Sequence, residues 1–451
     1  MSDTINVGAG DRLSRREVVR RGLMGAAGVV LADRLGLPAA MAAALAPRPA
    51  RAKAVIQIWL WGGPCHIDTF DPKPGAGSDY TGPLEKPIPT NVDGVVIGEL
   101  LPQLAKIADK YSIIRSMTHG INGHETAAYM VQTGRASGGR VVYPSVGAVV
   151  SHFRGHAAGY RGSIPPYIVL TEAQGRFSEC GFLGSRCKPF ATGGDPGRPR
   201  FEVEGIVAPG MTDERQRGRR ELLHRLDTLA KAMRGDPALA AFAQSEEEAY
   251  GTILGDGAKV YDLAEEKDDV RERYGRNTFG QSCLMARRLV EHGVPYVTIN
   301  YKGWDTHKQH FQTVRRKLPE MDQGTAALIQ DLSERGLLES TIVWWSGEFG
   351  RTPRVMWEPP WNGGRGHYGP VFSAMLAGGG FKGGHVVGAS DAKGEQVKER
   401  PVYPCDLIAS IYELMGIDPS GALPHPQGLD VRVMPTPAEG VASAGVLREI
   451  M

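Results

Sequence analysis

Charge of one sign is what this sequence has least of. Its 52 lysines and arginines stand against 50 aspartates and glutamates, a formal net charge of +2 over 451 residues. A general nucleic-acid binder concentrates basic side chains on one surface, and this balance argues against that class. Cysteine is also scarce. The five residues, Cys65, Cys180, Cys187, Cys283 and Cys405, include no CxxC pair, so no dithiol or cysteine-zinc motif of that spacing exists. Cys180 and Cys187 admit a disulfide in an exported protein, but an odd count leaves at least one thiol over. No apolar run has the length and composition of a membrane span, and no internal repeat is present. Glycine, by contrast, is abundant at 59 residues, and much of it clusters beside His, Asp and Trp. Such loops suit a site built where strands end.

The first fifty residues read as a targeting segment. Ser14-Arg15-Arg16-Glu17-Val18-Val19-Arg20 resembles the twin-arginine export motif. A moderately apolar stretch, Gly22 to Leu35, follows it, and then Ala-rich sequence from Pro38 to Ala46 with AxA-like cleavage options. A basic amphipathic helix is the plainer alternative, but the order of the three parts favours an export signal. The expectation is Tat export to the periplasm or beyond, of a mature protein with no stable membrane span. Residues 51–451 then form the folded domain.

Along that domain, Val55 to Trp61 is a β-rich run that stops abruptly at Gly62-Gly63-Pro64, the pattern of a buried strand entering a loop. Strands are also predicted at Tyr111 to Arg115, Tyr167 to Leu170, Tyr296 to Asn300, Ser340 to Ser346 and Val371 to Leu376. Helices are predicted at Leu101 to Lys110, His124 to Gln132, Val146 to Phe153, Phe279 to His292, Phe311 to Arg335 and Pro404 to Met415. The charged, helix-periodic segment 212–264 reads as a helical insertion outside the sheet. Alternating strands and helices indicate an α/β fold, with a mostly parallel central sheet and helices on both faces.

Four segments combine a strand end, glycines and metal-capable side chains. They are Gly62 to Asp71, which carries His66 and Asp68; His119 to Thr126, which carries His124; Gly303 to His307, with His310 close behind; and Ser346 to Thr352 followed by Gly364 to Gly369, which carry Glu348, Arg351 and His367. In an open α/β sheet the ligand crevice lies outside the carboxyl ends of the strands, so segments distant in sequence can converge there. His and Asp together suit a borderline divalent ion such as zinc. Each piece alone is weak, because an isolated Asp-Thr-His is more often a turn or a helix cap. Recurrence is the stronger signal: His66, His119, His124, His307, His310 and His367 are half of the 12 histidines, and all fall in these loops.

The run Gly62-Gly63-Pro64-Cys65-His66-Ile67-Asp68-Thr69-Phe70-Asp71-Pro72-Lys73-Pro74 resembles the opening motif of the domain-of-unknown-function family 1501. Gly303-Trp304-Asp305-Thr306-His307, Gly347-Glu348-Phe349-Gly350-Arg351-Thr352-Pro353 and Gly366-His367 are similar to its later motifs. That family resembles a branch of the alkaline phosphatase and sulfatase superfamily, which implies an exported hydrolase of phosphate or sulfate esters, the ester borne on a polysaccharide or another carrier. The resemblance implies a divalent metal, zinc before manganese or calcium, held by Asp305, His307 and His367. It places Glu348 beside a second metal, and His124 at the nucleophile position with Thr126 two residues on. His66 is a further candidate nucleophile or base, and Arg351 or Arg115 would offset the anion's charge. This sequence departs from the superfamily pattern in three ways. Phe349 replaces the His of an Asp-His pair, Gly62 or Gly63 replaces an acidic ligand, and the Cys-x-Pro-x-Arg sulfatase motif is absent. His66 or Asp68 would then stand in for the missing ligands. The alternative is a non-catalytic, metal-containing binding protein for a glycan or cell-surface partner, and a purely structural exported protein comes third.

Overall fold

The computed structural model describes residues 49–173, 179–199, 201–203, 214–215, 218, 221–222 and 257–451. The export segment lies outside them except for its last two residues, as does most of the predicted insertion at 212–264. The described end of that insertion carries a short helix, Gly257–Val260, and contributes no strand to the sheet.

Chain order gives strands β1 (Ala54–Trp59), β2 (Tyr111–Met117), β3 (Tyr167–Leu170), β4 (Phe190–Ala191), β5 (Tyr296–Asn300), β6 (Thr341–Ser346), β7 (Gly350–Arg351), β8 (His367–Tyr368), β9 (Phe372–Ala377) and β10 (Val386–Val387). The helices that flank them are α1 (His124–Thr133), α2 (Val146–Arg154), α3 (Thr278–Glu291), α4 (His310–Glu334) and α5 (Pro404–Leu414). Eight strands form the central sheet in the order β10-β2-β9-β6-β1-β5-β3-β4. β1 pairs in parallel with β5 and β6, and β5 with β3. Only β9 runs against its neighbours, β2 and β6. The sheet is therefore mostly parallel, as the strand-helix alternation predicts.

Alternation along β1 shows why helices must cover both faces. Ile56 and Ile58 point into one buried cluster with Leu284 of α3 and Leu318, Leu328 and Ile329 of α4. Val55 and Trp59 point into the other, with Val131 of α1, Val149 of α2 and Ile408 and Ile411 of α5. A strand buried on both faces reads as the continuous apolar run seen in the sequence. Gln57 is its polar exception. The Gln57 amide oxygen accepts from Thr298 Oγ1 at 3.2 Å, while its nitrogen donates to Gln132 Oε1 at 3.4 Å.

The helix predicted at Leu101 to Lys110 is instead two short turns, Pro102–Ala105 and Ala108–Lys110. Both backbone N–H groups at the start of the first turn, on Gln103 and Leu104, donate to Asp322 of α4 at 2.8 Å. The turn is thus tied to α4 rather than continued along its own axis. All five cysteines, Cys180 and Cys187 included, are free thiols.

A candidate metal-binding site

The sheet order brings the loops together. β6, β1 and β5 are adjacent and parallel, so the loops after Ser346, Trp59 and Asn300 leave the sheet side by side. β9 runs the other way, and its first residue, Phe372, pairs with Met117 at the end of β2. The segment that precedes β9 therefore enters at the same edge. It carries His367, which sits opposite Arg351 in the small β7–β8 ladder.

Glycine makes the close approach feasible. Gly62 has φ near +109°, and a Cβ there would lie 2.2 Å from the Asp305 nitrogen. A Cβ on Gly364 would lie 1.8 Å from the His307 carbonyl oxygen. Both backbones lie against the loop that carries Asp305 and His307, and no larger residue fits either place.

His124, Asp305 and His367 each present one ligand atom, and these atoms all lie within 4.8 Å of one another. His367 Nε2 is 3.1 Å from Asp305 Oδ1, and His124 Nε2 is 3.3 Å from Asp305 Oδ2. His307 Nε2 joins them, 2.8 Å from His367 Nε2 and 3.1 Å from Asp305 Oδ1. The partners of the opposite ring atoms fix the tautomers. His367 Nδ1 lies 2.8 Å from the Asn122 carbonyl oxygen, which can only accept, so Nδ1 carries the proton and Nε2 keeps a lone pair. His124 Nδ1 lies 2.7 Å from Glu348 Oε1 and likewise donates to it, which leaves Nε2 as the nitrogen that faces Asp305. A histidine that donates its far N–H to a carbonyl or carboxylate is oriented as metal-ligating histidines are. Imidazole nitrogens and a carboxylate converging on one point are a set that could hold a cation, and donors of these types suit zinc.

Electrostatics keeps Asp305 charged. Burial works against its carboxylate, but the Arg351 guanidinium, 2.5 Å away, and the nearby histidines outweigh it and hold the pKa at about 2. The hydrogen bond from His124 to Glu348 raises the His124 pKa against the opposing effect of burial. Burial lowers that of His307. Trp61 stacks on His124 with ring centroids 5.8 Å apart, and Phe349 stacks on His367 at 4.6 Å.

Residues 52–443 match a family described as a protein of unknown function, DUF1501. The chain belongs to that family. No curated protein matches its sequence. Among solved structures, its fold is similar to a protein in the alkaline phosphatase superfamily from Vibrio parahaemolyticus, at 12% identity and a TM-score of 0.38 over 83% of this chain and 70% of that one. A sulfatase from Pseudoalteromonas sp. aligns at 16% identity and a TM-score of 0.35 over 82% and 68% of the two chains. The C-terminal periplasmic domain of EcEptC from Escherichia coli, in complex with zinc, aligns at 11% identity and a TM-score of 0.34 over 87% and 91%.

In this DUF1501 protein the remaining candidates are not among the convergent ligand atoms. Glu348 is fully buried behind His124, where both carboxylate oxygens also accept from the Gly62 N–H at 2.9 and 3.1 Å. Arg351, expected to meet an anion, is fully buried. Its guanidinium donates to the carbonyls of Gly62, Gly63 and Arg365 as well as to Asp305. Arg115, the other arginine considered, donates to the Phe70 and Val96 carbonyls. His66 is buried against the Gly394 carbonyl at 2.9 Å and shares no contact with the cluster. Asp68 is buried too, paired with His310 and Arg365 instead of with the convergent histidines. Thr126 Oγ1 donates back to the Gly123 carbonyl at 3.1 Å within the first turn of α1. Sequence reasoning did not single out Asn122, whose carbonyl orients His367. It placed His119 in the second loop but gave it no role; its ring bridges the Glu348 carbonyl at 2.7 Å and the Ile121 N–H at 3.0 Å. A carbonyl acceptor leaves no mark on residue type, so the first had no signal to find.

Proposed function

We propose that this protein is an exported, metal-dependent hydrolase of phosphate or sulfate esters. The observation that carries the reading is the convergence of His124, Asp305 and His367, with His307 alongside, each imidazole of the first pair oriented by an acceptor at its Nδ1. Zinc is the metal the donor set suits best, with manganese and calcium as alternatives. When bound, it would supply Lewis-acid polarisation of a phosphoryl or sulfuryl oxygen and a more acidic water.

The chain's own residues have definite parts. Arg351 keeps Asp305 ionised and holds it against the Gly62 backbone. Glu348 fixes the His124 ring. With both His124 nitrogens engaged, His124 is assigned to ligation, and nucleophilic work falls to water or to Thr126 at the start of α1. The indoles of Trp61 and Trp361 lie beside His124 and His307, at centroid distances of 5.8 and 6.2 Å. They offer apolar surface for a sugar ring if the ester is borne on a polysaccharide.

One observation favours a second reading, a non-catalytic metal-containing binding protein. Phe349, fully buried, packs on His367 at the place where the superfamily pattern has a metal-binding histidine. Turnover decides between the two. The purified protein, loaded in turn with zinc, manganese and calcium, is assayed on a panel of aryl phosphate and aryl sulfate esters. Turnover that a chelator abolishes is expected. Stoichiometric metal without turnover selects the binding protein, and failure to take up any metal rejects both. Export is tested separately. Arg15→Lys combined with Arg16→Lys should leave the protein in the cytoplasm, and normal export of this double variant in a fractionation assay would reject the Tat reading.

A further inference from the structure

Beneath the two loops that carry Asp305 and His367 lies a buried polar chain that the proposed chemistry does not use. His310, the first residue of α4, lies 2.6 Å through Nε2 from Asp68 Oδ2, and both side chains are 1% exposed. A carboxylate only accepts, so Nε2 carries the proton. Burial lowers the proton affinity of this ring, although the Asp68 charge opposes the effect, and the neutral imidazole keeps a lone pair at Nδ1. The Thr306 hydroxyl meets that lone pair at 2.6 Å and donates to it. Each group in this chain thus has one hydrogen-bonding direction that satisfies its neighbour.

Thr306 stands between Asp305 and His307, and its side chain is turned inward while theirs face outward. Its backbone is pinned on both sides: its N–H donates to the Trp304 carbonyl at 2.9 Å, and its carbonyl accepts from the Arg365 N–H at 3.1 Å. The second oxygen of Asp68 accepts from Arg365 Nη2 at 3.3 Å. Arg365 is fully buried, also donates to the carbonyls of Thr352, Pro353 and Tyr80, and precedes His367 by two residues. A single buried carboxylate is therefore linked to both metal-site loops, through His310 and Thr306 to one and through Arg365 to the other.

We propose that Asp68, His310 and Thr306 form a positioning relay that sets the conformation of the Asp305–His307 turn and, with Arg365, the approach of His367. The relay rests on the metal-site reading above only for its effect on metal affinity. None of its members reaches the reacting atoms, so all are positioning residues. The relay also explains why Asp68 lies below the cluster: both of its oxygens are committed to organising the ligands.

Thr306→Val keeps the shape of the side chain and removes the hydroxyl, and Thr306→Ser restores the hydroxyl. In the metal-free full chain, Thr306→Val should speed amide hydrogen exchange at Asp305, Thr306 and His307 by about tenfold or more, while core strands such as β1 keep their protection. Zinc affinity, measured by competition with a chromophoric chelator, should fall by about 10–100-fold, the usual effect of losing an outer-shell partner. Thr306→Ser should return both quantities to the wild-type values. Asp68→Asn should reproduce the valine pattern, because its amide can no longer accept with both oxygens. Wild-type exchange and wild-type zinc affinity in Thr306→Val would overturn the proposal. So would uniform loss of protection across the sheet without rescue by serine, which would mark a merely structural hydroxyl. If the wild-type chain takes up no zinc, the metal-site reading fails, and exchange at residues 305–307 alone then decides the relay.

Discussion

His367→Ala is expected to abolish stoichiometric zinc binding and any ester hydrolysis while the protein stays folded. The ring supplies Nε2 to a cluster in which each ligand atom meets only a few others, and the Asn122 carbonyl that orients it cannot act in its place. Loss of outer-shell partners alone commonly weakens metal binding by about 10–100-fold, so loss of a ligand should cost at least about 100-fold. The fold should survive, because the apolar strands and helices that build both cores lie outside these loops. Elemental analysis of the folded variant is the measurement, and full zinc occupancy would refute the site. His124→Ala sharpens the result. If His124 is a ligand through Nε2, the nitrogen turned toward Asp305 while Nδ1 donates to Glu348, this variant loses metal as well. Retained metal with lost activity would instead return His124 to the nucleophilic role that the superfamily resemblance implies.

Gly62→Ala is expected to be a strongly damaging single-methyl change in the site. The new Cβ would meet the Asp305 nitrogen at 2.2 Å and the Trp304 carbonyl carbon at 2.5 Å, both of them backbone atoms with no side chain to swing aside. A φ near +109° adds strain for any L residue with a side chain. The combined cost is about 3 kcal/mol or more, from backbone strain and overpacking together. The Gly62 N–H bonds to Glu348 and its carbonyl accepts from Arg351, so the shift should also move both groups that hold His124 and Asp305. Chemical denaturation and zinc titration of the same variant check the two effects. Wild-type stability together with wild-type affinity would show that the loop tolerates the displacement and is not rigid.

The sequence by itself determined the architecture and which loops meet at one edge of the sheet. β1, Gln57 apart, and β6 are near-continuous apolar runs because burial on both faces removes the polar alternation that would blur them. Histidines and aspartates beside glycines at strand ends marked the four loops, since close backbone approach needs glycine whatever the ligand. Only the tertiary structure decided the part each residue plays. Asp68 and Asp305 are the same residue type in similar loops, yet one is sealed beneath the site by His310 and Arg365 and the other is 42% exposed within the cluster. Arg351 looked suited to an incoming anion, but its guanidinium is spent on backbone carbonyls and Asp305. Glu348 and His124 lie 224 residues apart, and their pairing turned a candidate nucleophile toward the ligand atoms. Such distinctions depend on which polar group faces which at about 3 Å, and residue type constrains that distance only after long-range packing has placed the loops.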